Sequence, residues 1–217
     1  ALMVVTLFGE AQAQNALLNT GNHHYESLCF IKAIESFEAA LAKKGLAETD
    51  RLAAKIKLAD SYCKIKDSEN AERVYRELVE SGTDLSSNPQ VCLKYAQVLA
   101  SNGKYREAQE MYDKYTRKVE DDPRGKGFSK LYNDVSVLSK NANCYKVDYL
   151  SINTNSADFS PSYYKNGMVF VSNRHNTVGV RRVFNWNETP FLDLFFLDDM
   201  SAIGGQAAGL GTGNSDI

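Results

Sequence analysis

A small, an aromatic and an apolar residue return in phase along the first part of this chain. Ala33, Phe37 and Ala40 recur as Ala71, Tyr75 and Leu78, and again as Ala108, Tyr112 and Tyr115, with offsets of 38 (71 − 33) and 37 (108 − 71). A self-similar period of this length marks stacked supersecondary units, each of which buries its apolar face only against a neighbour. Within one unit the residues Ala33, Ile34, Phe37, Ala40 and Leu41 follow the stripe of an amphipathic helix. A partner helix precedes each copy: residues 16–25 with Gly21, 52–65 with Ala59 and Tyr62, and 91–100 with Ala96 and Leu99. The pattern has a steric reason: a small side chain lets two helices cross closely, and an aromatic from the next turn fills the groove. The longer loops between units fall at Gly45 to Asp50 and Ser81 to Pro89. Phe128, Leu131, Tyr132, Val135 and Leu138 predict one more amphipathic helix over 127–140, suited to cap the last unit.

The texture changes after Asn143, where β-branched and aromatic residues rise and turn residues punctuate short runs. Strands are expected at Tyr145–Tyr149, which alternates apolar with polar, and at Met168–Val171, entered from the hairpin-favouring pair Asn166-Gly167. Two more are expected at Val178–Phe184 and Phe191–Leu197, while Pro161 should end an edge segment. The fold class is therefore an α+β multidomain protein, with helices first and strands after, divided near Asn141 to Tyr145.

Composition sets limits on function. Apolar residues at 43%, charged residues at 24% and a formal charge of −2 suit an ordinary globular chain. The Lys/Arg-dense stretch from Lys114 to Lys126 is broken by Glu120, Asp121 and Asp122, so it lacks the one-sign field that nucleic acid requires. The apolar run Ala1 to Phe8 followed by Ala11-Gln12-Ala13 reads as a signal peptide over 1–13, with Gln14 as the mature N-terminus. Four cysteines, Cys29, Cys63, Cys92 and Cys144, are too widely spaced for a zinc site. Core packing is their expected use, with disulfide pairing in an oxidising compartment the alternative. His23, His24 and His175 form no metal-binding spacing, and neither a G-x-S-x-G elbow nor a Walker loop is present. Asp121-Asp122 and Asp198-Asp199 read as element ends, not catalytic pairs, and no catalytic, metal or cofactor residue is assigned. The Gly- and Ala-rich tail within 201–217 reads as a linker or truncated end.

Two resemblances add to this reading. Gly21-Asn22 with Tyr25, then Ala33, Phe37 and Ala40, together with the turn Gly103-Lys104-Tyr105-Arg106-Glu107-Ala108, resemble the tetratricopeptide (TPR) family. Ala59, Ala71, Tyr75, Ala96, Ala108 and Tyr112 then stand at its packing positions. The departures are alanine at 59 and 96, where that family often has glycine, and a period longer than its usual ~34 residues. Asn153-Thr154, Asp158-Phe159-Ser160-Pro161, the run Gly167 to Arg174 with Phe170 and Ser172, and Asp193-Leu194-Phe195 are similar to one blade of a TolB-like β-propeller. Asp158 and Arg174 are a candidate ion pair near the blade's rim.

The resemblances imply an N-terminal TPR α-solenoid over 14–143 and a partial β-propeller, one blade or little more, over 144–200. That order is similar to the N-terminal half of periplasmic OmpA-family proteins of Bacteroidetes, of the PorE type found in type IX secretion and gliding. The implied function is a non-catalytic scaffold of the Gram-negative envelope, periplasmic and associated with the outer membrane. Its implied partners are PorP/SprF-type outer-membrane proteins and secretion components, with peptidoglycan bound only through a C-terminal domain absent from this sequence. The alternative is the N-terminal part of a propeller-gated serine peptidase; a cytosolic TPR co-chaperone is a third reading.

Overall fold

In the computed structural model the described residues are 15–43, 45–82, 87–128, 140–146, 148–174 and 182–203. The expected signal peptide, most of the capping helix and the Gly-rich tail lie outside them. The fold is helix-rich α+β with a small antiparallel sheet, and it divides into two compact units: Ala1–Val137 with Asn185–Asn187, and Leu138–Phe184 with Glu188–Ile217.

The helical unit contains α1 (15–26), α2 (Phe30–Leu41), α3 (Glu48–Lys64), α4 (Ser68–Glu80), α5 (Gln90–Ser101), α6 (Tyr105–Lys118) and α7 (Pro123–Phe128). From α2 to α7, each helix packs on the next in sequence. Helices α1 and α2, α3 and α4, and α5 and α6 are joined by three-residue turns, 27–29, 65–67 and 102–104, which force each pair to run antiparallel. Those turns are three copies of one structure. Leu28, Lys66 and Gly103 are left-handed, with φ of 59°, 67° and 75°. Cys29, Asp67 and Lys104 then donate their N–H to the carbonyls of His24, Tyr62 and Leu99 at 2.8, 3.0 and 2.8 Å. The preceding N–H of each turn bonds to Tyr25, Cys63 and Ala100 at 3.1, 3.2 and 3.1 Å, which completes the Schellman ending of a helix. The spacing is 38 (66 − 28) and 37 (103 − 66), the same as that of the side-chain pattern.

Only the third turn has glycine at the left-handed position. For an L-residue that conformation costs ~1–2 kcal/mol, so Lys66→Gly should raise the unfolding free energy by about 1 kcal/mol once glycine's own entropy is set against it. Urea denaturation followed by circular dichroism measures this.

Packing follows the repeat. Ala33, Ala71 and Ala108 are buried, as are Phe37, Tyr75 and Tyr112, and Ala40, Leu78 and Tyr115. Gly21, Ala59 and Ala96 occupy equivalent positions on the first helix of each pair. A Cβ on Gly21 would lie 2.8 Å from the Phe37 ring, so the first crossing has no room for a side chain there. Two boundaries differ from the sequence reading. Helix α3 begins at Glu48, within the expected loop, because Glu48 and Asp50 suit a helix N-terminus. Helix α7 begins at Pro123, where the missing N–H costs nothing in a first turn; Leu131, Tyr132, Val135 and Leu138 lie outside the described residues.

The second unit holds a sheet in the order β1 (Asp158–Tyr164), β2 (Gly167–Ser172) and β3 (Asp193–Leu197), both pairs antiparallel. Its core is Ile152, Met168, Phe170 and Leu197, with Phe195, Met200 and Ile203 packed against it. Four expectations need correction. Pro161 does not end the edge segment: a bulge between Phe159 and Ser162, with Ser160 at φ 53°, absorbs the missing donor and β1 continues to Tyr164. Tyr145–Tyr149 is not a strand among its described residues. A 3-10 turn at Ala142–Cys144 leads into it, Tyr145 and Tyr149 are exposed, and no strand among the described residues pairs with it despite the right alternation. Of Val178–Phe184 the described part makes one isolated bridge, Val183 to Pro190, and the rest lies outside. The last strand starts at Asp193, not Phe191.

The hairpin between β1 and β2 also shifts by one residue. Its two-residue loop is Lys165-Asn166, with Lys165 at φ 53°, and Gly167 already belongs to β2 opposite Tyr164.

Candidate functional site

The period that sets the core also places polar residues in rows. Asn22, Asp60 and Gln97 are equivalent positions on α1, α3 and α5, and Lys57 and Lys94 are equivalent on α3 and α5. Each lysine reaches back to the preceding odd-numbered helix. Lys57 donates to Asn22 Oδ1 at 2.6 Å and lies over the Tyr25 ring, 5.5 Å from its centre. Lys94 donates to Asp60 Oδ1, and the Tyr25 hydroxyl donates to Asp60 Oδ2 at 2.6 Å. One carboxylate thus ties three successive helices of the row. Burial alone would raise the Asp60 carboxyl, but the hydrogen bonds from Lys94 and Tyr25 outweigh it and hold it below the usual range. Burial, and then the hydrogen bond to Asp60, push the Tyr25 hydroxyl well up.

Beside this ladder lies a groove of ≈ 570 Å³. Its lining includes Asp60, Cys63, Lys64 and Lys66 at the end of α3, and Lys94, Gln97, Val98 and Ser101 on α5. Ser68 and Trp186, which belongs to the same unit, complete the wall. Charge in the groove is unbalanced: three lysines against one carboxylate give a net +2, and both oxygens of that carboxylate are already engaged. Among the described residues Lys64 and Lys66 have no ion-pair partner, and both are exposed. The Cys63 thiol is pushed up to about 11 by burial and by Asp60, so it stays protonated at neutral pH.

The other row is structural. Glu38 on α2 accepts from Tyr62 at 2.6 Å and from Arg73 at 3.2 Å, while Glu77 on α4 accepts from Lys55 at 2.9 Å. Burial and the Glu38 carboxylate push Tyr62 up to about 12. Glu72, also on α4, is buried and is held by Lys104 at 2.6 Å, Asn102 at 2.8 Å and Arg76. Those hydrogen bonds outweigh the burial that would raise its carboxyl, and depress it. The Tyr75 hydroxyl is buried with no hydrogen-bond partner, with the Cys63 thiol and the Asp60 carboxylate among the groups near it. An orphaned buried hydroxyl is a net cost, so Tyr75→Phe should leave the unfolding free energy unchanged or raise it by up to about 1 kcal/mol, with a melting temperature equal to or above the wild type's. Thermal unfolding of the two proteins tests this.

The residues assigned to helix packing are thus drawn together in one core, whereas the groove residues Asp60, Lys64, Lys66, Lys94 and Gln97 escaped the sequence reading. Their signal is the same period applied to polar positions. In the sheet unit Arg174 pairs with Asp158 at 2.7 Å, donates to the Ile152 carbonyl at 2.9 Å, and lies over the rings of Phe170 and Phe195. Ser172 is buried and accepts from the Arg174 N–H at 3.0 Å. Phe159 and Pro161 stand on the exposed edge strand, and Asp193 opens β3 opposite Ser172.

The polar groups set aside at the sequence level have ordinary surroundings. His23 and His24 are neighbours on α1 with rings 6.0 Å apart, and His175 lies outside the described residues. Asp122 accepts from Arg124 and from the Tyr115 hydroxyl, and Asp199 caps the 3-10 turn Met200–Ala202 through Ser201. Among the described residues no group of three or more His, Cys, Asp or Glu is placed to hold a metal ion. No described helix is long and apolar enough to cross a membrane. The chain matches no protein-family model, and no curated protein matches it.

Proposed function

We propose that this chain is a non-catalytic periplasmic scaffold that binds protein partners at the outer membrane, within type IX secretion or gliding motility. In this reading the helical unit is a TPR array and the sheet unit opens a TolB-like β-propeller. The observation that carries it is the thrice-repeated helix pair: the same Schellman turn, small-residue crossing and aromatic plug at offsets of 38 and 37. Repeated pairs of this kind stack into an extended surface suited to another polypeptide. The sheet supports the second part. Met168 and Phe170 face the small core, yet the opposite face carries Val169 and Val171 beside Leu194 and Phe196, the last two 74% and 50% exposed. Strands apolar on both faces suit a sheet sandwiched between others, as a blade is.

The test is affinity capture with the purified chain from detergent-solubilised envelope of its source organism. Stoichiometric recovery of an outer-membrane protein of the PorP/SprF type is expected. Recovery of cytosolic chaperones alone, or peptide hydrolysis sensitive to a serine-directed inhibitor, contradicts the reading.

A further inference from the structure

We infer that Asn166, in the hairpin joining β1 to β2, is a site of spontaneous deamidation: it converts to aspartate and isoaspartate in the folded protein, and the isoaspartate loosens the hairpin.

The chemistry needs an asparagine whose side chain can meet the next backbone nitrogen. The Gly167 nitrogen, giving its proton to solvent, attacks Asn166 Cγ and forms the new C–N bond of a five-membered succinimide. The Cγ–Nδ2 bond breaks and ammonia leaves. A water molecule then opens one of the two carbonyl–nitrogen bonds of the ring. One opening restores the ordinary backbone as aspartate, and the other routes the chain through Cβ and Cγ as isoaspartate. Ring closure is intramolecular, so it outpaces attack by bulk water on the same amide. Glycine obstructs the approach least, because no Cβ stands beside its nitrogen.

The chain contains two Asn-Gly pairs, Asn102-Gly103 and Asn166-Gly167, and the fold treats them oppositely. Asn102 Nδ2 donates to the Ser68 carbonyl at 3.1 Å and to Glu72 Oε2 at 2.8 Å, which ties its amide to α4. The Gly103 N–H is held by the Ala100 carbonyl at 3.1 Å. Asn102 therefore reaches the succinimide only by breaking these bonds. Asn166 is exposed in a two-residue loop, and among the described residues nothing bonds its side-chain amide. The neighbouring Lys165 ammonium lies over the Tyr164 ring instead, 5.3 Å from its centre.

The register carries the consequence. Isoaspartate adds one backbone atom to a loop whose length fixes the strand pairing. Gly167 pairs with Tyr164, and a Cβ on it would lie 1.9 Å from the Leu197 carbonyl oxygen, so it has no room to slide toward β3. The strain falls on the pairs Tyr164–Gly167 and Tyr163–Met168. β1 is an edge strand of the sheet and yields first.

Peptide mapping by mass spectrometry, on the full chain aged at neutral pH with and without urea, tests the site. In urea both Asn-Gly peptides should gain about 1 Da at similar rates. In the folded protein Asn166 should convert about tenfold or more faster than Asn102. Its rate should rise with pH, because the attacking nitrogen must lose its proton. Asn166→Ser should abolish the conversion. Aged wild type, unlike aged Asn166→Ser, should lose amide protection across β1 in hydrogen exchange while the helical unit keeps its own. Conversion at Asn166 equal to or slower than that at Asn102 in the folded chain overturns the site. Isoaspartate at 166 with the β1 protection intact overturns its effect on the hairpin.

Discussion

Replacing Phe37 with Ala should lower the unfolding free energy of the helical unit by about 3–5 kcal/mol, read as a shift of the urea midpoint. Phe37 is fully buried, and its ring fills the space left by the absent side chain of Gly21 on the preceding helix. Truncation therefore removes both its own burial and the ring that packs on Gly21, and the backbone of α1 has no side chain at 21 with which to collapse into the void. Tyr75 and Tyr112 stand at the equivalent positions against Ala59 and Ala96. Each of those crossings retains at least a methyl group, so Tyr112→Ala should cost less than Phe37→Ala. A cost at Phe37 below that of an ordinary surface substitution would mean that the first pair is not packed as described.

A second large effect is expected in the sheet. Gly167→Ala would place a Cβ 1.9 Å from the Leu197 carbonyl oxygen, 2.9 Å from its carbonyl carbon and 3.0 Å from the Asp198 Cα. All three atoms are backbone, so no rotamer change relieves the clash, and β2 must separate from β3 or shift register. The cost should reach about 3 kcal/mol, the upper end for an overpacking substitution. Loss of protected amides across Met168 to Ser172 in hydrogen exchange would report it, while the helical unit keeps its protection. Gly103→Ala is the contrasting control. Its Cβ meets nothing within 4 Å, and only the left-handed φ of 75° penalises it, by about 1 kcal/mol.

What the sequence made legible follows from which interactions are local. The pattern Ala33, Phe37, Ala40 and its two returns lies on single helices, where spacing alone fixes a face, and the crossing partners Gly21, Ala59 and Ala96 keep the same period. The strands were harder because alternation shows that a segment can pair, not that a partner exists. Tyr145–Tyr149 alternates correctly, yet its described residues form no ladder. Conversely, β1 contains a proline that argued against continuation, and a bulge that the sequence does not announce carries the strand past it. Gly167 was read for its turn chemistry, yet its absent side chain is required by the approach of the Leu197 carbonyl, a long-range contact. The groove was missed for a related reason. Asp60, Lys64, Lys66 and Lys94 look like ordinary surface charges along the chain, and only the stacking of α3 beside α5 turns them into a basic recess around one saturated carboxylate.

The central claim is that the odd-numbered helices present the surface another polypeptide occupies. A photo-crosslinking residue placed in turn at Gln97 and Ser101 in the groove and at the exposed Asp113 of α6, followed by irradiation in envelope extracts, tests it most directly. The account predicts a discrete polypeptide adduct from the two groove positions and none from Asp113. Adducts of equal yield at all three positions, or from Asp113 alone, would contradict it.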